Sequence, residues 1–355
     1  PGFGRLHVLA AELERDPQAD PEVERGLTLT EIAHGAPPGS GLVFRCGQLP
    51  NPAERLTARL VPIIARALAA RPDTPEVQLD VDAPTRRLRE YAAVVRALRA
   101  TLPPEVALTV TAAPAWLDDP GMAELAAAAD GFVLQLHWLH RERGEIVLLD
   151  PDAAAHVEAA ARLGRPFRAA LPAHGYRVAV DGDAIHVAAE TSAADPGTIE
   201  VRPDAAAVAA LVRGWSVRHP AELQGIVWFR LPTDQDELAW AWPTLEAVRR
   251  GVVPRGVARV ALADDGGAWT VTVHNDGDGD LVLPPLAAPD AALADGAGGY
   301  RWADGRLVPA EGGTLRPGQA RIVGWVRPAG PGAPSVSVSA VSERTTAPAP
   351  RPTSR

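Results

Sequence analysis

Residues 76–82 read EVQLDVD, and the alternation within them decides how the rest of the chain is read. Val77, Leu79 and Val81 fall on one face of an extended strand, and Gln78, Asp80 and Asp82 on the other. The stretch that follows, Pro84 to Leu102, carries Leu88, Tyr91, Val95, Leu98 and Leu102 at three- and four-residue spacing, with Pro84 placed for a first helical turn. A strand followed by an amphipathic helix is the unit of a parallel sheet. The same unit recurs outward in both directions. Strand-like runs begin near Arg5 (RLHVLAA), Gly41 (GLVFRC), Ala107 (ALTVTA), Gly131 (GFVLQLHW), Pro166 (PFRAALP) and Gly225 (GIVWFRLP), and residues 53–70, 152–163, 204–213 and 237–250 read as helices.

Seven such units over residues 1–252 predict a (β/α)8 TIM-like barrel, and the count leaves one strand short. The missing strand is expected either upstream of Pro1 or within residues 14–40. A doubly wound open sheet is the competing architecture, but no strand is followed by a glycine-rich phosphate loop. After residue 252 the period changes to two. VARVALAD, AWTVTVHN, DLVLPPL, ARIVGWV and SVSVSAV alternate apolar and polar between Gly, Asp and Pro turns, which predicts a small antiparallel β-sandwich over 253–341. Residues 342–355 are rich in Pro and Thr, carry no apolar payload and are expected to be disordered.

Composition narrows the function classes. The chain has 355 residues, 44 acidic against 35 basic, a formal net charge of -9, and every basic residue is arginine. Without a basic stripe, nucleic acid is not an expected partner, and no apolar run is long enough to span a bilayer. The single Cys46 excludes an internal disulfide and any CxxC pattern. No cofactor motif is found. His137 and His140 lack an HExxH frame, so no metal is expected. Asp276, Asp278 and Asp280 in HNDGDGD have Leu281 where a calcium loop needs its glycine and read as an Asp-Gly turn. Ser192 and Ser216 lack a nucleophile elbow.

In a barrel the outer strand faces pack on helices, so the polar faces point inward and the chemistry gathers at the C-terminal ends of the strands. That places Gln78, Asp80 and Asp82 inward from one strand, Gln135 and His137 from another, Arg45 from GLVFRC, Trp228 and Arg230 from the last long strand, and Glu12 at the end of the first. Asp80, Asp82 and Glu12 are the candidate acids and bases. The others are candidate substrate contacts. Structural roles stand beside these: Asp82 as a cap on the following helix, Asp80 as a partner of Arg45 or Arg230, His137 as a buried hydrogen-bonded ring, Trp228 as a packing aromatic.

The succession VQLDVDAPTRRLREYAAVVRALRATLP, LTVTAAPAWL, FVLQLHWL, PFRAALPAHGYRV and GIVWFRLPTDQDELAW resembles the bacterial family called domain of unknown function 3142. The resemblance covers most of residues 40–250. It implies a barrel related to the glycoside hydrolases, often exported, hence an extracytoplasmic location, and it carries no established activity. Positions matching the family pattern include Thr85 and Trp116, to which no site role is given, and Tyr176, which is a further candidate substrate contact. Val81 and Ala83 depart from the family's pattern. The aspartate pair is also similar to the DxDxE run of chitinase-type barrels, although the position of its acid is occupied by Pro84.

The resulting expectation is a carbohydrate-active barrel, a glycoside hydrolase in which Asp82, nearer the mouth, is the acid and Asp80 its electrostatic or nucleophilic partner. Two carboxylates at i and i+2 on a strand are about 6.5 to 7 Å apart, between the separations of retaining and inverting enzymes. The alternatives are a non-catalytic saccharide or cell-envelope binding protein, and a metal-assisted hydrolase using Asp80, Asp82 and His137. The oligomeric state is not legible.

Overall fold

The computed structural model describes residues 4–13, 36–189, 198–233, 236–310 and 313–339. The expected tail at 342–355, and all but the last few positions of the 14–40 stretch, lie outside these. The chain forms two compact units: residues 1–172 with 215–230, and residues 173–214 with 231–355.

The first unit is built on a seven-stranded parallel sheet. Its strands are β1 (His7–Leu13), β2 (Gly41–Cys46), β3 (Glu76–Val81), β4 (Ala107–Ala112), β5 (Gly131–Gln135), β8 (Phe167–Pro172) and β12 (Leu223–Phe229), in that spatial order. Between β5 and β8 the chain inserts an antiparallel hairpin, β6 (His137–Glu142) and β7 (Glu145–Leu149). The run GFVLQLHW therefore breaks at Leu136, whose N–H still donates to Ala170 O at 3.0 Å before the chain turns away.

Helices α1 (Glu54–Ala70), α2 (Leu88–Arg99), α3 (Pro120–Ala128) and α4 (Ala153–Ala161) alternate with these strands. The helical pattern read from Pro84 begins later than expected. Pro84 is extended, Thr85–Arg87 form a 3-10 turn, and α2 starts at Leu88. Val77, Leu79 and Val81 on β3 are buried, as are Leu88, Tyr91, Val95 and Leu98 of α2. The Tyr91 hydroxyl, 3.5 Å from Leu79 O, ties this helix to that strand.

The sheet is curled, because side chains from non-adjacent strands meet on its inner face. The Glu76 carboxylate at the start of β3 takes Arg5 at 2.9 Å and His7 of β1 at 3.2 Å, accepts from the Thr109 hydroxyl of β4 at 2.7 Å, and pairs with Arg168 of β8. Two strands separate β3 from β8, and a flat sheet would hold these groups about 14 Å apart. Burial alone raises the pKa of Glu76, but the hydrogen bond from His7 and the charge of Arg168 outweigh it and hold the carboxyl far below its ordinary range. This ionic layer lies at the N-terminal ends of the strands, where barrels keep stability rather than chemistry.

The second unit is mostly antiparallel. Its first strands are β9 (Tyr176–Asp181), β10 (Ala184–Ala189) and β11 (Ile199–Val201), a sheet of order β10-β9-β11, followed by α5 (Ala205–Val217), which runs across the unit boundary, and α6 (Trp242–Arg249). Then come β13 (Ala258–Asp265), β14 (Ala268–Asn275), β15 (Leu281–Val282), β16 (Leu286–Ala287), β17 (Ala291–Gly296), β18 (Tyr300–Ala303), β19 (Arg306–Pro309), β20 (Thr314–Leu315), β21 (Ala320–Pro328) and β22 (Ser337–Val338). One four-stranded sheet, β13-β14-β21-β17, and another, β18-β19-β16-β22, contribute to a single buried cluster that includes Val271, Val273, Leu286, Leu307, Val323 and Val326. Asn275, fully buried at the end of β14, accepts from the N–H groups of Val257 and Gly277 and donates to Gly279 O and Leu315 O, at 2.8 to 3.1 Å. The HNDGDGD segment is a turn of this kind: Asp276 pairs with Arg259, and Asp278 accepts from Arg255 N at 2.9 Å.

Candidate functional site

The inward orientation of Glu76 fixes the parity of β3, so Gln78 and Asp80 share its face. Register then aligns Glu12 of β1 with Arg45 of β2, and Arg45 with Asp80 of β3. A β-bulge between Leu9 and Ala11 is what brings Glu12, rather than its neighbour, into that row. Arg45 Nε lies 3.2 Å from Glu12 Oε1, both groups being partly exposed. Gln78 Nε2 donates to Thr111 Oγ1 at 3.0 Å, and the Thr111 hydroxyl is in turn hydrogen bonded to Asp80. The C-terminal part of the inner face thus carries acid, base, acid and hydroxyl side by side.

Asp80 is half-buried, and its pKa is raised. Burial is the main cause, opposed by the charge of Arg45 and the hydrogen bond from Thr111 and reinforced by the nearby Asp82. Asp82, one residue beyond β3, is exposed. It does not cap the helix after it, because the first turn follows Pro84 and has no side-chain cap. Its backbone is tied on both sides: Asp82 N donates to Cys46 O at 3.0 Å, and Leu49 N donates to Asp82 O at 3.0 Å. The Cys46 thiol donates to Gln48 O at 3.0 Å, while Arg87 donates to Leu49 O and Pro50 O at 2.8 and 2.7 Å. These bonds set the loop after β2 against the loop after β3.

Between those loops and the 3-10 turn after β4 lies a cleft of about 680 Å³. Its lining is Gly47 and Gln48 from the loop after β2, Asp82–Pro84 from the loop after β3, and Ala113 with Trp116 from the turn after β4. Trp116 and Gln48 received no site role from the sequence. The signal available for Trp116 was its place in APAW, a tryptophan in the first turn after a strand end, where barrel loops carry function.

The remaining candidates fall elsewhere. His137 is buried and stacks on Phe229, with ring centroids 4.9 Å apart and planes 10° apart. Gln135 is spent on its own chain, donating to His137 O at 3.0 Å. The expectation that Trp228 points inward is corrected: β12 pairs Gly225 with Arg168, Trp228 with Leu171 and Phe229 with Pro172. Since Arg168 reaches Glu76 inside the curl, Gly225, Val227 and Phe229 share the inner face and Trp228 the outer one. A bulge between Leu223 and Gly225 sets this register. Arg230 follows the strand, where parity no longer applies. Tyr176 belongs to the second unit, on β9, where it packs against His174 with ring centroids 4.7 Å apart. Among the described residues no cluster of His, Cys, Asp and Glu could hold a metal ion, so Asp80, Asp82 and His137 do not form a metal centre. Among the same residues no helix is long and apolar enough to cross a membrane.

Known proteins add the following. Residues 258–329 match the domain of unknown function DUF8456. No curated protein matches the chain. Among solved structures, a chitinase from Rhizomucor miehei superposes with a TM-score of 0.43 at 13% identity, over 69% of this chain and 94% of that one. The spore cortex-lytic enzyme SleL of Bacillus megaterium gives 0.39 at 9% identity, over 60% of each chain. A glycoside hydrolase family 30 subfamily 8 xylanase, Xyn30A, from Clostridium acetobutylicum gives 0.31 at 10% identity, over 82% of this chain and 80% of that one. Likeness at this level assigns no activity. The domain of unknown function DUF3142 matches residues 42–234, more than half of the sequence. The chain belongs to the DUF3142 family.

Proposed function

We propose that the first unit is a glycosidase-type barrel that hydrolyses a glycoside at the C-terminal ends of β2, β3 and β4. The carrying observation is that one inward strand delivers two carboxylates to one place: Asp80 beneath, with a raised pKa, and Asp82 above it on the wall of a cleft that also holds Trp116. Asp82 is the group that meets the glycosidic bond. Asp80 works beside it, and its protonation state sets the local charge, with Arg45 and Thr111 favouring its ionised form and burial its neutral form. Glu12 is held by Arg45 and serves to position that guanidinium. The antiparallel sheets after residue 257 are read as a β-sandwich that follows the barrel in sequence.

A second reading is a saccharide-binding protein. It is favoured by one observation, that Asp82 is the one carboxylate among the described residues lining the cleft. A panel of natural oligosaccharides and chromogenic glycosides, incubated with the intact protein and with Asp80→Asn and Asp82→Asn, separates the two. Cleavage lost in both variants supports the hydrolase. Equal cleavage by all three proteins removes the assignment, and binding without cleavage leaves the second reading.

A further inference from the structure

We propose that the cleft is a subsite for a neutral pyranose, with the accessible margin of Trp116 as its apolar contact and Gln48 and Asp82 as its hydroxyl contacts, and that it discriminates against uronic acids; this deepens the carbohydrate reading and rests on it. Trp116 is fixed by its backbone, its N–H donating to Ala113 O and its carbonyl accepting from Asp119 N, both at 3.0 Å. Only 8% of its surface is exposed, so it offers the cleft a margin of the indole rather than a whole face. Gly47, Ala83, Pro84 and Ala113 bring no side-chain donor or acceptor to the lining. Such a surface suits the C–H face of a sugar ring.

Polar chemistry enters at two points. The Asp82 carboxylate accepts hydrogen bonds from hydroxyl groups, and the exposed Gln48 amide both donates and accepts. Both are carried on backbone that hydrogen bonds fix in place.

Charge then sets the sugar class. Among the described lining residues Asp82 is the only ionisable group, and it is an acid. The nearest guanidinium on the same strand row, Arg45, is engaged with Glu12 and faces Asp80. A carboxylated sugar would therefore place its charge beside Asp82 with no cation in the lining, a repulsion on the order of a hundredfold in affinity at an effective dielectric constant of about 20.

The test is titration calorimetry with cellohexaose, xylohexaose and chitohexaose as neutral probes and hexagalacturonate as the acidic one. At least one neutral probe should bind the intact protein about a hundredfold more tightly than hexagalacturonate. Trp116→Ala should weaken that binding about tenfold or more, and Trp116→Phe by no more than about threefold. Removing a buried ring can unfold the chain, so Gln48→Arg, at an exposed position, carries the charge claim independently: it should narrow the discrimination at least tenfold. Hexagalacturonate binding as tightly as the neutral probes, no binding of any probe, a folded Trp116→Ala that binds normally, or a Gln48→Arg that leaves the discrimination unchanged would each overturn the subsite. Cleavage of the same probes is measured separately. Asp82-dependent cleavage without a Trp116 effect leaves the hydrolase and removes the subsite, whereas Trp116-dependent binding without cleavage does the reverse.

Discussion

Glu76 offers the sharpest test of the curled sheet, because Arg168 reaches it from β8, two strands beyond its neighbour on a flat sheet. Its side chain is 4% exposed and is shared by Arg5, His7, Thr109 and Arg168. Glu76→Gln keeps the shape but leaves the guanidinium groups facing a neutral amide. Breaking one side of a buried ion pair costs about 3 to 5 kcal/mol, and in a unit of this size each kcal/mol lowers Tm by about 2 to 4 °C, so the expected drop is on the order of 6 to 20 °C. Replacing the partner as well, in Glu76→Gln with Arg168→Met, should recover part of that loss, since no guanidinium of β8 is then left unpaired. The pH dependence has a fixed sign. A carboxylate whose folded pKa is depressed binds fewer protons folded than unfolded, so its contribution is complete above its ordinary value of about 4.3 and is lost as pH falls below that. Denaturant titration of the full chain between pH 7 and pH 3 reads both effects. A Glu76→Gln variant within about 1 kcal/mol of the parent, with the same acid sensitivity, would refute the ionic layer and with it the argument for curling.

Asp80 should behave in the opposite sense. Its folded pKa is raised, so it binds more protons folded than unfolded over the interval above its ordinary value, and stability falls as pH rises through that interval. Asp80→Asn should therefore unfold at a higher temperature than the parent at pH 7, with the gap closing in acid; a lower Tm at pH 7 would contradict the burial argument. Asn275→Ala should cost about 3 to 5 kcal/mol in the second unit, because it strands four backbone groups that Asn275 now satisfies; urea unfolding followed by Trp fluorescence measures it. Arg87→Ala removes the bonds holding Leu49 O and Pro50 O and should loosen the cleft wall, raising KM more than it lowers kcat on any substrate found. A pure kcat effect would mean that the loop is held by other contacts.

The sequence was most informative where polarity and geometry agree. EVQLDVD splits cleanly because Val77, Leu79 and Val81 must lie under helix while a carboxylate cannot, and the inner face was readable without knowing its neighbours. The last strand was not readable in this way. Its orientation is set by the bulge at Leu223–Gly225 and by Arg168 on the adjacent strand, both properties of pairing, so the polar-looking Trp228 and Arg230 were favoured over Phe229. The β9–β10 hairpin was missed although Gly182-Asp183, with Gly182 at φ 58°, is a two-residue turn signal between alternating runs; the barrel pattern drew 166–213 into a strand and a helix. Tyr176 enters the candidate site through the family resemblance alone, which says nothing of the unit it folds into. Trp116 illustrates a further limit: a loop residue has no periodicity to reveal what it lines.

The central claim is that Asp82 acts on a glycosidic bond with Asp80 beside it. Its most direct measurement is kcat/KM for the intact protein and for Asp82→Asn on the best-cleaved glycoside of the panel, by release of reducing ends. General acid or base chemistry contributes about 10² to 10⁴ in rate, so the substitution should lower kcat/KM by at least a hundredfold while leaving the fold intact by circular dichroism. A folded Asp82→Asn protein that cleaves as fast as the parent would contradict the account.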